Sequence, residues 1–184
     1  MQEDIDDKLL LAEFAIESKR HQAFHKILEK YQRRVYWHIR KIVIDHDDTD
    51  DLTQDTFIKA WNALADFRQD AQLFTWLYRI ATNEALNFLR KKKTRNTVSM
   101  QGDEYDFGAT LSATPYFNGD ALQMKLQQAI LTLPEKQRLV FNMKYFDAMK
   151  YEEMSDVLET SVGALKASYH HAVKKIEMYF EKQS

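Results

Sequence analysis

Four glycines and two prolines in 184 residues leave this chain few of the residues that tight turns require. A sheet protein needs a turn every eight to twelve residues or so, made by residues that tolerate left-handed or fixed backbone angles. With 45% apolar residues, that scarcity predicts an all-α fold. The length exceeds a typical module of about 100 to 150 residues, which predicts two small helical domains joined by a flexible linker. The absence of cysteine excludes a disulfide framework, zinc fingers and thiol chemistry, and fits a reducing compartment. Met1 to Asp7 is acidic rather than of signal-peptide type, and no run of 18 apolar residues occurs, so a cytoplasmic protein is expected.

Charge is most informative by segment. Residues 1–93 carry 16 Lys and Arg against 16 Asp and Glu, residues 94–121 carry 1 against 4, and residues 122–184 carry 9 against 8. Non-specific affinity for duplex DNA comes mainly from neutralised phosphates, so a chain this balanced binds DNA weakly by itself. If it reads DNA, another component supplies the positive field.

Apolar periodicity places the elements. Lys8 to Ile16 reads as a short helix, and Phe24, Ile27, Leu28, Tyr31, Val35, Ile39 and Ile42 recur at three- and four-residue steps along a long one. Five carboxylates in Asp45 to Asp51 break that pattern. A helix from Asp50 to about Leu64 follows, with Phe57, Ala60, Trp61 and Leu64 inward and Asp51, Gln54, Asp55 and Asn62 wet. Ala65 to Phe74 reads as a loop. Thr75 suits an N-cap for a helix through Arg90, with Leu77, Ile80, Ala81, Ala85 and Phe88 as its seam and Trp76, Arg79, Asn83, Asn87 and Arg90 on another face. From Thr94 to about Asp120 the periodicity disappears, which predicts a linker. Further helices are expected beyond it: Leu122 to Leu131, Pro134 to Tyr145, and a pair split at Thr160. That pair, Tyr151 to Leu158 and a helix capped by Ser161 with Leu165, Tyr169, Ala172 and Ile176 inward, has helix-turn-helix spacing. Lys166, His170, His171 and Lys174 then project outward.

The segments DLTQDTFIKAW and FRQDAQLFTWLYRIATNEALNFLRKKK resemble region 2 of RNA polymerase sigma factors of the extracytoplasmic-function (ECF) type, in the sigma-70 family. LPEKQRLVFNMKYFDAMKYEEMSDVLETSVGALKASYHHAVKKI resembles their region 4. The resemblance implies a non-catalytic factor that directs core polymerase to promoters and assists melting. It assigns residues 1–93 to a region 2-like domain, 94–121 to a linker and 122–184 to a region 4-like domain. By resemblance, Asp51, Leu52, Gln54 and Asp55 dock on clamp helices of the largest polymerase subunit.

The minus-ten element is assigned in the same way to Phe67, Arg68, Gln69, Asp70, Ala71, Trp76, Arg79, Asn83, Arg90, Lys91, Lys92 and Lys93. Base capture requires unstacking, because a paired base hides its Watson–Crick edge. An aromatic face such as Trp76 offers stacking of about 1 to 3 kcal/mol per base. The minus-thirty-five element falls to Ser161, Lys166, His170, His171 and Lys174, on a helix that enters the major groove. Ala167 and Ser168 stand where many members have Ser and Arg, and Glu159 holds a turn position often given to Gly. An anti-sigma partner, commonly tied to a membrane receptor, is implied by the resemblance alone.

Two rival readings stand beside this one. A stand-alone helix-turn-helix regulator would bind duplex DNA as a dimer without polymerase. An enzyme would use the carboxylates of Asp47 to Asp55 on nucleic acid. No cofactor or metal site is expected: Asp50 and Thr56 occupy positions where an EF-hand loop that starts at Asp45 requires Gly and Glu, HQAFH at 21–25 lacks the Glu of a zinc-protease helix, and no phosphate-cradling glycine loop exists.

Overall fold

The computed structural model describes residues 6–98 and 121–182. These described residues form eight α-helices: α1 Asp7–Ala15, α2 Arg20–Val43, α3 His46–Ala63, α4 Leu73–Val98, α5 Ala121–Leu131, α6 Glu135–Tyr145, α7 Tyr151–Leu158 and α8 Val162–Glu181. No strand occurs among the described residues, as the shortage of turn residues predicts.

Helix α2 is the axis of the N-terminal bundle, packing on α1, α3 and α4. Its stripe of Ala23, Ile27, Val35, Ile39 and Val43 is fully buried. Removing each large aliphatic side chain of such a stripe from water stabilises by about 1.5 to 3 kcal/mol. Helix α1 is tied down by polar contacts as well, since the Asp7 carboxylate accepts from the Tyr31 hydroxyl at 2.7 Å and from Lys30 at 3.0 Å. Helix α2 ends with Ile44 in the left-handed region at φ 69°, an uncommon place for a β-branched residue. Burial of its side chain and the hydrogen bond from its N–H to the Arg40 carbonyl at 2.9 Å hold it there. The reversal lets α3 begin two residues later.

Helix α3 starts earlier than the apolar pattern indicates. The acidic run Asp45 to Asp51 is its cap and opening turns rather than a break: the Asp45 carboxylate accepts from the Asp48 N–H at 2.9 Å, and Asp47 and Asp48 sit where the helix dipole favours negative charge. Helix α4 also departs from expectation at both ends. It begins at Leu73, so Thr75 is a buried residue of the first turn instead of a cap. It runs on to Val98, with the Thr94 hydroxyl donating back to the Arg90 carbonyl at 3.0 Å. The expected linker 94–121 therefore overlaps helix at both edges, and 99–120 lie outside the described residues.

In the C-terminal half, Ser161 caps α8 as expected, accepting from the Ala164 N–H at 3.3 Å. Ser161→Ala should destabilise the protein by about 1 kcal/mol, read as a lowered urea midpoint by circular dichroism with an unchanged slope. Ala129, Ile130, Leu133, Phe141, Ala172 and Ile176 form a core of their own among α5, α6 and α8. Leu139, Val140, Met143, Met149, Met154, Val157 and Leu165 of this half join the N-terminal core instead. Helix α7 lies on α4, and α6 touches α2. The two halves thus share one apolar interior.

Candidate promoter and polymerase interface

Three polar surfaces emerge from this packing. On α3, Asp51, Gln54 and Asp55 are exposed and share one face. Leu52 does not share their exposure: it is 6% exposed and belongs to the core. The outward apolar residue is Ile58 instead, 59% exposed. It stands three and four residues beyond Asp55 and Gln54, on the same helical face. The apolar stripe passes over Ile58, and its being out of phase with Phe57 and Ala60 is the signal that exposes it.

The second surface is the loop after α3 and the outer side of α4. Phe67 and Trp76, both half-buried, pack ring to ring at 5.0 Å against the rim of the core. Arg68, Gln69 and Asp70 are exposed at the loop tip, where Gln69 takes a left-handed φ of 59° and Arg68 pairs with Asp70 at 3.5 Å; Ala71 is half-buried beside them. Arg79 and Asn83 are exposed on α4, and the Arg90 guanidinium donates to Asn87 at 2.9 Å. Lys91 and Lys93 are exposed too. Lys92 is turned inward, bonded to Asp48 at 2.7 Å and lying over Phe88, so it fastens α4 to α3 rather than extending the basic end.

The third surface is the outer side of α8. Lys166, His170, His171 and Lys174 are exposed, while Leu165, Ala172 and Ile176 are buried and Tyr169 half-buried. The expected division of this helix into seam and outer face is what the structure has.

Between the halves lies a polar cluster that no sequence spacing announces. His38 on α2 is 1% exposed. Its Nδ1 lies 3.2 Å from the Asp147 carboxylate, in the turn between α6 and α7, and its Nε2 lies 2.8 Å from the Thr82 hydroxyl on α4. Lys41 pairs with the other Asp147 oxygen, the Asn142 amide donates to the Lys41 carbonyl at 3.3 Å, and the Tyr78 ring stacks on His38 at 4.3 Å. Burial is the main influence on His38 and lowers its pKa from the ordinary 6.5, against the opposing pull of Asp147. Burial also acts upward on Asp147, but hydrogen bonds and charge from His38 and Lys41 outweigh it and hold the carboxyl below 3.8. Tyr78, with Arg34 beside it, is pushed above its usual value by burial.

Neutral His38 therefore donates from Nδ1 to an ionised Asp147 that Lys41 already balances. Both groups bind protons less readily here than in water, so docking of the halves is strongest above pH 6.5 and weakens as pH falls from there through the lowered His38 value, then further as Asp147 protonates. Amide exchange of α7 measured from pH 7.5 to 5 should slow on acidification by less than the base-catalysed intrinsic rate does, so that its protection factors fall.

These features agree with comparisons to known proteins. The family model for sigma-70 region 2 matches residues 27–95, and that for sigma-70 region 4 matches 123–176. The ECF RNA polymerase sigma-E factor of Escherichia coli strain K12 is 28% identical over 185 residues, spanning 96% of this chain and 95% of that protein. Its counterpart in Haemophilus influenzae is 26% identical over 96% of each. Among solved structures, CnrH in complex with the cytosolic domain of CnrY is 25% identical with a TM-score of 0.72, over 97% of this chain and 99% of that one. The sigma factor RpoE of Bartonella quintana, in complex with the anti-sigma factor NepR, shares the fold with a TM-score of 0.74 at 21% identity, over 86% of this chain and 96% of that one.

A region 2 bundle followed by a region 4 helix-turn-helix defines a transcription initiation factor that works with RNA polymerase and promoter DNA. The chain belongs to the sigma-70 family, as an RNA polymerase sigma factor of the ECF type. The stand-alone regulator is not favoured, since region 2 has no place in it.

Proposed function

We propose that the three surfaces divide the work of initiation as follows. Residues 1–93 act as the unit that binds core polymerase and the minus-ten element, 94–121 as the connection, and 122–184 as the unit for the minus-thirty-five element. The face of Asp51, Gln54, Asp55 and Ile58 docks on the clamp helices of the largest subunit, with Leu52 supporting it from the core. Phe67, Trp76 and the Arg68 to Ala71 loop form the edge at which an unstacked base is captured, Arg79 and Asn83 line the strand beside it, and Arg90, Lys91 and Lys93 hold phosphates. Ser161 and Lys174 meet the backbone of the upstream element while Lys166, His170 and His171 approach base edges. The factor does this without chemistry of its own, and in the cytoplasm. No described helix is long and apolar enough to cross a membrane.

The observation that carries this reading is that region 2 and region 4 occur in one chain with the exposed polar side chains of α3, α4 and α8 on three distinct helices. An anti-sigma partner is also proposed, because the structural relative RpoE was solved with the anti-sigma factor NepR and CnrH was solved with the cytosolic domain of CnrY. The test is transcription in vitro with purified core, this protein and a promoter library, mapping RNA 5′ ends. Discrete start sites that require both components are expected. A sharp footprint without core, or no start site with it, would defeat the proposal.

A further inference from the structure

Where α5 and α6 meet α2, the packing leaves a cavity of about 270 Å³. Its apolar walls are Trp37 and Ile44 from the α2 side, Ile130 and Leu131 of α5, and Phe146 after α6. Close-packed interiors hold few voids larger than a water, and a void with apolar walls takes up apolar molecules rather than ordered water. At roughly 30 Å³ for a water-sized group, the space accepts about nine heavy atoms. That is near the lower end of small-molecule sites.

The polar groups of the lining give the occupant its charge. Arg40, 4% exposed, Arg138, 8% exposed, and Lys41 border the cavity together with Gln127 and Asn142, and no carboxylate does. Neither arginine lacks contacts in the protein, and Lys41 is balanced by Asp147. Yet two guanidiniums bordering one apolar space repel each other through a low dielectric, and an anion between them relieves both that repulsion and the cost of their burial. Burial is the main influence on Arg138 and lowers its pKa against the charge of Glu135, so an added anion favours its charged form.

Phe146, 39% exposed, marks the mouth, with the Lys41 ammonium 5.3 Å from the centre of its ring. An adjoining hollow shares Trp37, Lys41 and Phe146 and adds Arg33 and Arg34, with Asp147 as its one lining carboxylate. An anion therefore approaches through a positive field.

We propose that this cavity binds a small amphiphilic carboxylate, with an apolar body of about eight carbons between Ile44, Ile130, Leu131 and Phe146 and its head on the Arg40 and Arg138 guanidiniums. A guanidinium matches a carboxylate in shape as well as charge, which selects this head over a cation or a halide. Because the walls come from both halves of the chain, an occupant joins α5 and α6 to α2. None of the residues given to polymerase or promoter lines the cavity, so the site stands or falls independently of those roles.

Octanoate is the probe, with acetate as the head without the body and octylammonium as the body with the opposite charge. In the free full-length protein, octanoate at a hundredfold excess over its dissociation constant should raise the melting temperature by about 5 to 10 °C. Neither control should reproduce this. The tryptophans Trp37, Trp61 and Trp76 locate the event: in isotope-labelled protein, only the indole N–H signal of Trp37, assigned by its loss in Trp37→Phe, should move as octanoate is added. By calorimetry, Arg138→Met should weaken octanoate at least about tenfold, the effect of losing a hydrogen bond to a charged group. Leu131→Trp, at a half-buried position, fills the space without touching the charges and should abolish binding.

Equal stabilisation by octylammonium, or movement of all three indole signals, would show adsorption to apolar surface at large and overturn the site. Octanoate affinity unchanged in Leu131→Trp at parental helicity would overturn it as well, even if Arg138→Met does not fold. No response to octanoate would refute the carboxylate and leave the cavity to an apolar side chain of a protein partner.

Discussion

Ile58→Glu should weaken binding to core polymerase by about 30-fold or more while the protein stays folded. Ile58 is an apolar side chain 59% exposed on the α3 face that carries Asp51, Gln54 and Asp55. An apolar anchor ringed by polar groups has the composition of an interface hot spot, where truncation commonly removes 2 kcal/mol or more. Introducing a charge adds the desolvation of a carboxylate against whatever pocket the isoleucine fills. The fold does not depend on that side chain, since the buried apolar members of α3 are Leu52, Phe57 and Ala60. Titration of labelled protein with core, beside thermal melting of the free chain, separates the two effects. An unchanged affinity would remove α3 from the docking surface. Asp51→Asn and Asp55→Asn should give smaller losses that shrink as salt is added, because exposed charges are screened.

The reach and the limits of the sequence follow from which interactions have a period. Helix seams do. Val35, Ile39, Leu77, Ala81, Ala85, Leu165 and Ala172 were all assigned inward from three- and four-residue spacing, and all are buried. Helix ends are set by single hydrogen bonds and were less legible: the Asp45 cap lay hidden in a run of carboxylates that looked like an interruption, and Thr75 had a capping side chain but was already inside α4. The burial of Leu52 was legible too, since Thr56 and Ala60, four and eight residues further on, share its side of α3 and are buried with it. The cluster of His38, Lys41, Thr82 and Asp147 was invisible for a different reason. Its members are 109 residues apart at the extremes, and nothing local in FDAMK distinguishes a buried carboxylate from an exposed polar turn residue. Glu159 was noticed as a departure from glycine, and the contact with Arg79 supplies a physical reason for it.

Substitutions on the two sides of α4 should separate folding from promoter opening more sharply than any other pair in the protein. Leu77 is fully buried between α4 and the rest of the N-terminal bundle. Leu77→Ala should destabilise by about 2 to 5 kcal/mol, the transfer term plus the cavity that a packed interior cannot fully close. At about 2 to 4 °C per kcal/mol for a chain of this size, the melting temperature should fall by about 10 °C. At a temperature where the variant remains folded, its start sites should be those of the parent, since Leu77 does not reach the surface. Asn83→Ala is the converse. Asn83 is exposed and lies one turn beyond Arg79, so its loss should leave the melting temperature within about 2 °C, the range of an ordinary surface substitution. Core binding should also be unchanged, because α3 is untouched. Open-complex formation, followed by permanganate reactivity of thymines near the start site, should fall, and a template carrying a pre-melted bubble should restore transcription. Restoration by the bubble is the decisive part: a variant that merely packed badly would gain nothing from DNA opened in advance, whereas one that had lost a contact to the displaced strand would recover most of its activity.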